Sequence, residues 1–327
     1  MRDVETTIEV SVIIPVYNEE KYIESCIISL INQTYPREKM EWIVIDGNST
    51  DETVKIIEKY NKEYPLKIIN NPKRKTPISL NMGIRSSRGK YIIRFDAHAT
   101  YSNDYIEKCI YYLENTTADN VGGYVETKAD GVIGNAIARM LSTRFGVGGA
   151  SFRTGNDTGY VDTVPFGAFR REVFEKVGLF DEELLRSEDN DINARIREHG
   201  GKVYLASDIV STYYCRDSIK GVLIQGIQNG NALFRTIRRN PKAMSLRHFV
   251  PFLFLLSLVI LPLLCLWWPG ARNLLVAEMV LYGCIDLAFC IKKENLRYAL
   301  ILIWLYPIFH ICYGLGSLLG LIGADLY

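Results

Sequence analysis

Apolar positions in the first hundred residues form short buried runs, each followed by a polar turn and a stretch with helical spacing. The first unit is the run Val10–Val16, with apolar positions at Tyr22, Ile23, Cys26, Ile27 and Leu30 behind it. The second is a strand from Trp42 to Ile45, followed by a helix from about Glu52 whose inward face is Val54, Ile57 and Tyr60. Each unit predicts a strand, a turn and a helix.

Two further strands follow the same rhythm. The segment LKIINN predicts a third strand, and YIIRF predicts a fourth after a helix that begins at Pro77 and stops at Gly89. Four strands that alternate with helices predict β-α-β crossovers and a mostly parallel sheet. The predicted fold class is therefore α/β, Rossmann-like and doubly wound.

Polar side chains follow three of the predicted strands. They are Pro15, Tyr17, Asn18 and Glu19 after the first, Asp46, Ser49 and Asp51 after the second, and Asp96 and His98 after the fourth. Because ligands of open α/β sheets bind beyond the carboxyl ends of the strands, we expect these groups to converge on one crevice. Helix N-capping is an alternative role for Asn18, Ser49 and Asp51, and it is compatible with a site nearby.

Asp96 and His98 stand one residue apart at the end of the fourth run. Alternation along an extended backbone puts both on the same side, so a carboxylate and an imidazole could face one metal ion. The alternative is an aspartate that caps a turn beside a solvated histidine.

Composition divides the chain. Its 327 residues, net charge of +1 and 48% hydrophobic content are typical of neither a disordered chain nor a nucleic-acid binder. Up to Arg247 the chain is charge-rich, whereas the remainder contains long apolar runs. We predict a cytoplasmic domain over residues 1–230, a basic juxtamembrane segment over 231–248 and a region of about three transmembrane helices over 249–327. The predicted crossings are Phe249–Trp268, Asn273–Ile291 and Tyr298–Gly323.

Basic residues flank these segments unevenly. Arg235, Arg238, Arg239, Lys242 and Arg247 precede the first, Arg272 lies in the first loop, and Lys292, Lys293 and Arg297 lie in the second. The positive-inside rule then predicts a multi-pass protein of the cell membrane, with its front domain cytoplasmic and its C-terminus outside. Glu278 and Asp286 are expected to face other helices, and Gly316 and Gly320 have the spacing of a helix-packing motif.

Several functional classes lack their signals in this sequence. Neither G-x-G-x-x-G nor G-x-x-x-x-G-K-[ST] is present, which disfavours dinucleotide dehydrogenases and P-loop phosphotransferases. The seven cysteines are scattered without a C-x-x-C pair, which indicates reduced thiols rather than disulfides or a zinc site. The N-terminus lacks the basic start and long apolar core of a signal peptide.

Four segments in order resemble the inverting glycosyltransferases of family 2, which have the GT-A nucleotide-sugar fold. They are VSVIIPVYNEEKYIESCIISLINQTYP, EWIVIDGNSTDET, GKYIIRFDAHA and VGLFDEELLRSEDNDINARIREHGGKV, and the resemblance spans residues 9–220. The D-A-H-A form, together with VDTVPFGAFRREVF, is similar to the succinoglycan-type glucosyltransferases of exopolysaccharide synthesis. His98 stands where the family's D-x-D motif has its second acidic residue.

The resemblance implies the reaction and its participants. It implies transfer of one sugar from a nucleotide-sugar donor, favouring UDP-hexose, to a polyprenyl-diphosphate-linked saccharide, with inversion. Membrane lipids are the further expected partner, nucleic acid is not one, and a homo-oligomer or partner transferases are left open. The resemblance also implies a divalent metal ion, and an imidazole ligand favours Mn²⁺ over Mg²⁺.

The resemblance also implies roles for individual residues. It gives Asp46 to the uracil base, Asp96 to the donor and metal, His98 to the metal or a phosphate, and Asp189 to the general base. Glu188 precedes that base in the E-D pair, on the acceptor side. Arg74, Arg153 and Arg216 are weaker candidates for phosphate binding, since solvated loop charges are the ordinary reading of each. An N-capped helix start at Ser187 is the alternative reading of the segment around Asp189.

The sequence leaves two other functions open. A non-catalytic membrane scaffold of the same fold could bind a nucleotide sugar or a partner transferase, with His98 marking loss of the metal site. A nucleotidyltransferase shares a similar sheet, but PVYNEEKY is not the glycine-rich basic loop that such an enzyme carries after its first strand.

Overall fold

The computed structural model describes residues 7–64, 66–155, 157–292, 295–324 and 326. The chain divides into two compact units, Met1–Glu126 with Gly155–Tyr213 and Thr127–Thr154 with Tyr214–Tyr327. The domain boundaries predicted at residues 230 and 248 are a separate division of the chain and stay a prediction. Lys293, one of the basic residues used to predict topology, lies outside the described residues.

The strand-turn-helix segments that the sequence predicts are confirmed in the first compact unit. Its strands are β1 Val10–Val16, β2 Met40–Asp46, β3 Leu66–Asn70, β4 Tyr91–Arg94, β5 Ala99–Tyr101, β6 Asn120–Lys128, β7 Gly159–Tyr160, β8 Ala168–Arg170 and β9 Val203–Tyr214. The helices between them are α1 Ile23–Ile31, α2 Thr53–Asn61, α3 Thr76–Ser86 and α4 Tyr105–Asn115, and later α8 Glu172–Val177 and α9 Glu188–Glu198.

The strands form one sheet in the order β3-β2-β1-β4-β8-β6-β9-β5, and β7 pairs with β9. Strand β1 pairs in parallel with β2 and β4, and β2 pairs in parallel with β3. Beyond β4 the pairs β4–β8, β6–β8, β5–β9 and β7–β9 are antiparallel. The mostly parallel sheet that the pattern predicts is thus confirmed for its first four strands only, since the pairs formed by β8, β6, β9, β5 and β7 described above are antiparallel.

Two predicted boundaries shift. Helix α3 ends at Ser86, three residues before the predicted stop at Gly89. Gly89 instead allows close approach to β1, since a Cβ there would lie 2.6 Å from the Ser11 amide nitrogen. Strand β4 ends at Arg94, before the predicted Phe95.

The second unit is helical. It contains α5 Gly131–Leu141, α6 Arg144–Val147, α7 Ser151–Thr154, α10 Ile219–Arg239, α11 Val250–Leu264, α12 Pro269–Cys290 and α13 Ala299–Leu321. Three stretches of the described residues are long and apolar enough to cross a membrane: Leu246–Leu264, Pro269–Cys290 and Leu296–Leu321. The three predicted apolar segments are therefore confirmed as helices of suitable length.

Glu278 meets another helix, as expected, because the Ser257 hydroxyl of α11 donates to its Oε1 at 2.5 Å. Asp286 is buried and accepts from the Cys290 thiol of its own helix. Gly316 and Gly320 of α13 face the α10 backbone at Ile227 and Asn231.

Candidate active site

The loops after β1 and β2 bind one another at the carboxyl end of the sheet. The Asn18 amide donates to Ser49 Oγ at 3.0 Å, and Asn18 Oδ1 accepts from the Thr50 amide at 2.8 Å. The Glu19 amide donates to Thr53 Oγ1 at 2.7 Å. Each loop thereby satisfies backbone donors of the other, so two of the three predicted strand ends are brought together.

Asp46 and Asp51 order the second of these loops. Asp46 is buried at the end of β2, and both of its carboxylate oxygens accept from the Ser49 amide, at 3.2 and 3.3 Å. Asp51 accepts from the Thr53 amide at 3.0 Å and from the Glu20 amide at 3.1 Å, which is the capping role weighed for it. Burial would raise the pKa of Asp51, but a hydrogen bond with the Thr53 side chain, together with these backbone hydrogen bonds, holds it below its usual value.

Pro15 is tolerated inside a central strand for a structural reason. It pairs in register with Ile45 of β2 on one side, whereas β4 pairs with β1 only as far as Ile13. A residue without an N–H therefore sits where the neighbouring ladder has already ended.

Tyr17 and Arg74 lie together at the rim of this end. Tyr17 is 42% exposed, the Arg74 Nη1 donates to its hydroxyl at 3.4 Å, and the guanidinium lies 5.3 Å from its ring centre. An exposed aromatic face beside a cation is suited to stacking and to phosphate.

Four residues in the loops after the strands and before α9 have a strained backbone conformation. Asn18, Asn48, Arg74 and Ser187 have positive φ angles of 53°, 60°, 57° and 65°. Residues other than glycine rarely adopt this conformation, and it recurs at functional sites where surrounding contacts hold it in place.

Asp96 and His98 lie in a turn beyond β4 rather than on an extended strand, so strand alternation does not set their directions. The turn is closed by the Ala99 amide, which donates to the Asp96 carbonyl at 3.1 Å. The Asp96 amide donates to the Tyr101 hydroxyl at 2.7 Å. The two side chains are nevertheless close enough for the charge of each to act on the other.

A buried arginine that the sequence interpretation missed joins the predicted groups. The Arg94 guanidinium donates from Nε to Asp96 Oδ1 at 2.7 Å, and from Nη1 to Glu188 Oε1 and Asp189 Oδ1, both at 2.9 Å. Its side chain is 8% exposed. The available signal was a charged residue inside the otherwise apolar run YIIRF, because buried arginine is rare unless it is paired.

Helix α9 presents Glu188 and Asp189 in its first turn. Ser187 is the N-cap residue, but its side chain makes no capping hydrogen bond. The capped helix start that was the alternative for this segment is therefore only partly present. The acidic first turn favours the helix through its dipole, and it also delivers two carboxylates to Arg94.

Charge is unevenly balanced in this cluster. Three carboxylates share one guanidinium, so an excess of negative charge remains. Burial, together with the charges of Glu188 and Asp96, raises the pKa of Asp189 to about 7 despite the neighbouring Arg94. Asp96 behaves oppositely, because Arg94 and His98 outweigh burial and hold its pKa below the usual value. The two aspartates of one cluster thus differ in protonation behaviour.

His98 fits the role of a metal ligand. Its Nδ1 lies 2.9 Å from Glu19 Oε1, and within the described part of the chain its Nε2 has no hydrogen-bond partner. A carboxylate on the second ring nitrogen is the usual support of a metal-binding histidine. Burial favours the neutral ring, but the hydrogen bond to Glu19 and the charge of Asp96 raise the pKa of His98. Glu19 thus contacts His98, and its predicted contact with the donor stays a prediction.

Asp96 and His98 would be an incomplete coordination shell on their own. Among the described residues, no three His, Cys, Asp or Glu side chains are grouped so that they could hold a metal ion. Divalent ions in nucleotide-dependent enzymes are commonly held by one or two protein groups together with substrate phosphates. The donor set here suits such a shared site.

Arg153 and Arg216 belong to the second unit, whereas the cluster belongs to the first. The Arg153 Nη1 donates to Thr127 Oγ1 at 2.8 Å, and Arg216 is exposed. Their predicted contact with phosphate stays a prediction.

Known proteins resemble this chain along most of its length. A protein of Methanococcus voltae, dolichyl N-acetyl-alpha-D-glucosaminyl phosphate 3-beta-D-2,3-diacetamido-2,3-dideoxy-beta-D-glucuronosyltransferase, is 30% identical over 326 residues, which are 97% of this chain and 98% of the relative. Succinoglycan biosynthesis protein ExoA of Rhizobium meliloti is 27% identical over 243 residues, 73% of each chain.

A solved structure shares the fold. The mannosyltransferase PcManGT of Pyrobaculum calidifontis, in complex with GDP-Man and Mn²⁺, superposes with a TM-score of 0.65 at 19% identity over 97% of this chain and 88% of that one. The GT-A-like fold predicted from the sequence is thereby confirmed. The sequence profile described as glycosyl transferase family 2 matches residues 11–178. With these relatives, that match shows that the chain belongs to glycosyl transferase family 2 and is a glycosyltransferase.

Proposed function

We propose that this protein is a membrane-bound glycosyltransferase that moves one hexose, with inversion, from a UDP-sugar to a saccharide carried on a polyprenyl diphosphate. The observation that carries the proposal is the cluster around Arg94. There the predicted base, Asp189, and the predicted donor-side residue, Asp96, bind the same guanidinium at 2.9 and 2.7 Å.

Asp189 is the proposed general base. An acceptor hydroxyl oxygen attacks the anomeric carbon of the sugar while the bond from that carbon to the diphosphate oxygen breaks. The hydroxyl proton passes to the Asp189 carboxylate, and the bonding electron pair leaves with the diphosphate. A base with a pKa near neutrality is well matched to this task.

The donor would lie against the strand ends. Asp46, the buried last residue of β2, is proposed to recognise the base, and Ser49 and Asp51 shape the loop around it. Tyr17 and Arg74 offer an aromatic face and a cation at the exposed rim. The Asn18 and Glu19 amides anchor the first loop to the second, Pro15 lies in β1 just before that loop, and the predicted contact of these three residues with the donor is part of this proposal.

A divalent ion would be held by Asp96 and His98 together with the donor phosphates. When bound, it would supply Lewis-acid stabilisation of the departing diphosphate. The imidazole favours Mn²⁺ over Mg²⁺, and the structural relative PcManGT is described with Mn²⁺. The excess of negative charge around Arg94 also favours a cation there, because an anionic donor would otherwise be repelled.

The acceptor is proposed from the relatives and the helices. The Methanococcus voltae relative is named for an acceptor sugar on dolichyl phosphate, and the Rhizobium meliloti relative for succinoglycan biosynthesis. Three apolar helices would hold this protein where such a lipid-linked acceptor lies. We place the catalytic domain, residues 1–230, on the cytoplasmic side.

Transfer by the full-length protein tests this function. Membranes containing the protein are incubated with Mn²⁺, a panel of labelled UDP- and GDP-sugars and a polyprenyl-diphosphate saccharide. We expect transfer from one UDP-hexose, and Asp189→Asn should lower the rate by ~10²–10⁴-fold, the usual contribution of a general base, with donor binding nearly unchanged. Glu198→Gln, at the far end of the same helix, is the matched control and should transfer normally.

Two results would contradict the proposal. Donor binding by the wild type without turnover of any sugar would favour the scaffold that the sequence left open. Full activity in Asp189→Asn would remove Asp189 as the base.

A further inference from the structure

Arg94 uses most of its hydrogen-bonding capacity on the three carboxylates. Nε donates to Asp96 Oδ1 at 2.7 Å and Nη2 to Asp96 Oδ2 at 3.3 Å. Nη1 donates to both Glu188 and Asp189 at 2.9 Å. A guanidinium has five N–H donors. One from Nε, two from Nη1 and one from Nη2 make four that are engaged.

Stability alone gives a poor account of this arginine. Its side chain is almost fully buried at the end of β4, where a small cavity is lined by Arg94 and by the apolar residues Ile13, Ile92 and Phe169. A buried ion cluster costs desolvation, and well-packed apolar residues are often as stable or more so. A cation at this point therefore suggests a function in addition to packing.

The arrangement joins parts that are distant in sequence. Asp96 follows β4 on the donor side, whereas Glu188 and Asp189 begin α9. One planar and rigid group contacts both, so the position of the base relative to the donor side is fixed by the geometry of a single guanidinium.

We propose that Arg94 is a positioning residue, which holds the base Asp189 at the place from which it can accept the acceptor's proton while it holds Asp96 toward the donor. This role rests on the proposed function. Glu188 shares Nη1 with Asp189 and thereby fixes the direction in which that nitrogen donates.

Substitution of Arg94 by lysine separates the proposed positioning role from the effect of the positive charge. Arg94→Lys keeps one positive charge in the cluster, but a single ammonium group lacks the fork that reaches all three carboxylates. A misplaced catalytic group commonly costs on the order of 10²-fold in rate. We therefore expect kcat of Arg94→Lys to fall by ~10–100-fold, with the donor KM changed little.

The matched control lies on the same helix. Arg195 donates from Nε and Nη2 to Asp191 at 2.9 and 2.8 Å and from Nη1 to the Val177 carbonyl, and it touches none of the three carboxylates. Arg195→Lys removes a comparable fork without disturbing the cluster. Its kcat should stay near that of the wild type.

A small-molecule rescue tests the fork directly. Arg94→Ala, purified as the full chain in detergent, is assayed with methylguanidinium or with methylammonium at equal concentration. Methylguanidinium should restore kcat in a saturable way and methylammonium should not. All rates are divided by the fraction of molecules that bind UDP with Mn²⁺, so that unfolded protein does not count.

The possible results distinguish the positioning role of Arg94 from a purely structural role and from failure of the proposed function. Equal kcat losses in Arg94→Lys and Arg195→Lys, or unchanged kcat in Arg94→Lys, would overturn the positioning role while transfer by the wild type still supported the proposed function. Loss of a cooperative melting transition in both Arg94→Lys and Arg94→Ala would overturn it in favour of a purely structural arginine. Absence of transfer by the wild type with every donor would contradict the proposed function itself, and with it the role that rests on it.

Discussion

His98 offers an imidazole nitrogen as the proposed metal ligand, and a carboxylate at the same position would favour a harder metal ion than imidazole does. Its Nδ1 binds Glu19 Oε1 at 2.9 Å, and Asp96 stands two residues before it in the same turn. Imidazole nitrogen favours later and softer divalent ions, whereas carboxylate oxygen suits the small octahedral Mg²⁺. The identity of this one residue should therefore tune the choice of metal.

We expect His98→Asp to retain transfer and to shift the metal optimum from Mn²⁺ toward Mg²⁺, and His98→Ala to lose most turnover. The measurement is the rate of transfer against the concentration of each metal, with Mn²⁺ binding in the presence of UDP measured separately. His199, an exposed histidine at the end of α9, gives the control His199→Asp, which should leave the preference unchanged. An unaltered metal preference in both His98 variants would exclude a role in coordination.

The protonation of Asp189 should appear in the pH profile. Its folded-state pKa is raised to about 7 by burial and by the neighbouring carboxylates. A base works only when deprotonated, so kcat/KM should rise as pH increases through about 7 and level off above it. The residual activity of Asp189→Asn should lack this limb. A limb of equal position in that variant would show that another group titrates.

At the scale of elements, helices α10 and α13 of the second unit pack closely against each other. Gly226 and Gly230 of α10 face Phe309 and Tyr313, and Gly316 and Gly320 of α13 face Ile227 and Asn231. A Cβ at Gly230 or Gly316 would overlap a backbone carbonyl of the facing helix. Small residues therefore set the separation of these helices, as they do in many membrane bundles.

Gly230→Ala should destabilise the protein, because the facing backbone must move and such overpacking costs roughly 1–3 kcal/mol. The control is Gly283→Ala on α12, where a Cβ would have nothing within 4 Å. Thermal unfolding in detergent measures both. We expect a lower Tm for Gly230→Ala and an unchanged or higher one for Gly283→Ala, and equal effects would show that the two helices are not tightly packed.

At the scale of the whole molecule, basic residues predict how the chain crosses the membrane. Arg235, Arg238 and Arg239 end α10 before the first apolar helix, and Lys292 follows the second. With three crossings, the front domain and the loop at Lys292 would be cytoplasmic and the C-terminus outside.

Tags report this topology. In sealed right-side-out cells, a tag at the N-terminus or beside Lys292 should be protected from protease, and a tag after the last residue should be cleaved. The N-terminal tag is the internal control for sealing. A C-terminal tag protected in sealed cells and cleaved after lysis would mean an even number of crossings, most simply because one apolar helix lies at the interface.

The sequence by itself determined the elements that local pattern controls. Strand β1 has the predicted bounds, α1 to α3 lie where helical spacing predicts them, and the three apolar segments are helices. Apolar periodicity and length are properties of neighbouring residues, so they can be read without contacts from elsewhere. The order of motifs also predicted the family, which the comparisons confirm.

Only the tertiary structure decided what joins these elements. The antiparallel half of the sheet, the pairing of α10 with α13 and the contact of Glu19 with His98 all depend on residues that are distant in sequence. Arg94 is the clearest case, because in the sequence it is one charge in an apolar strand. Its role becomes visible only in the fold, where Oδ1 of Asp189, 95 positions later in the sequence, lies 2.9 Å from its Nη1. No local sequence pattern predicts that contact.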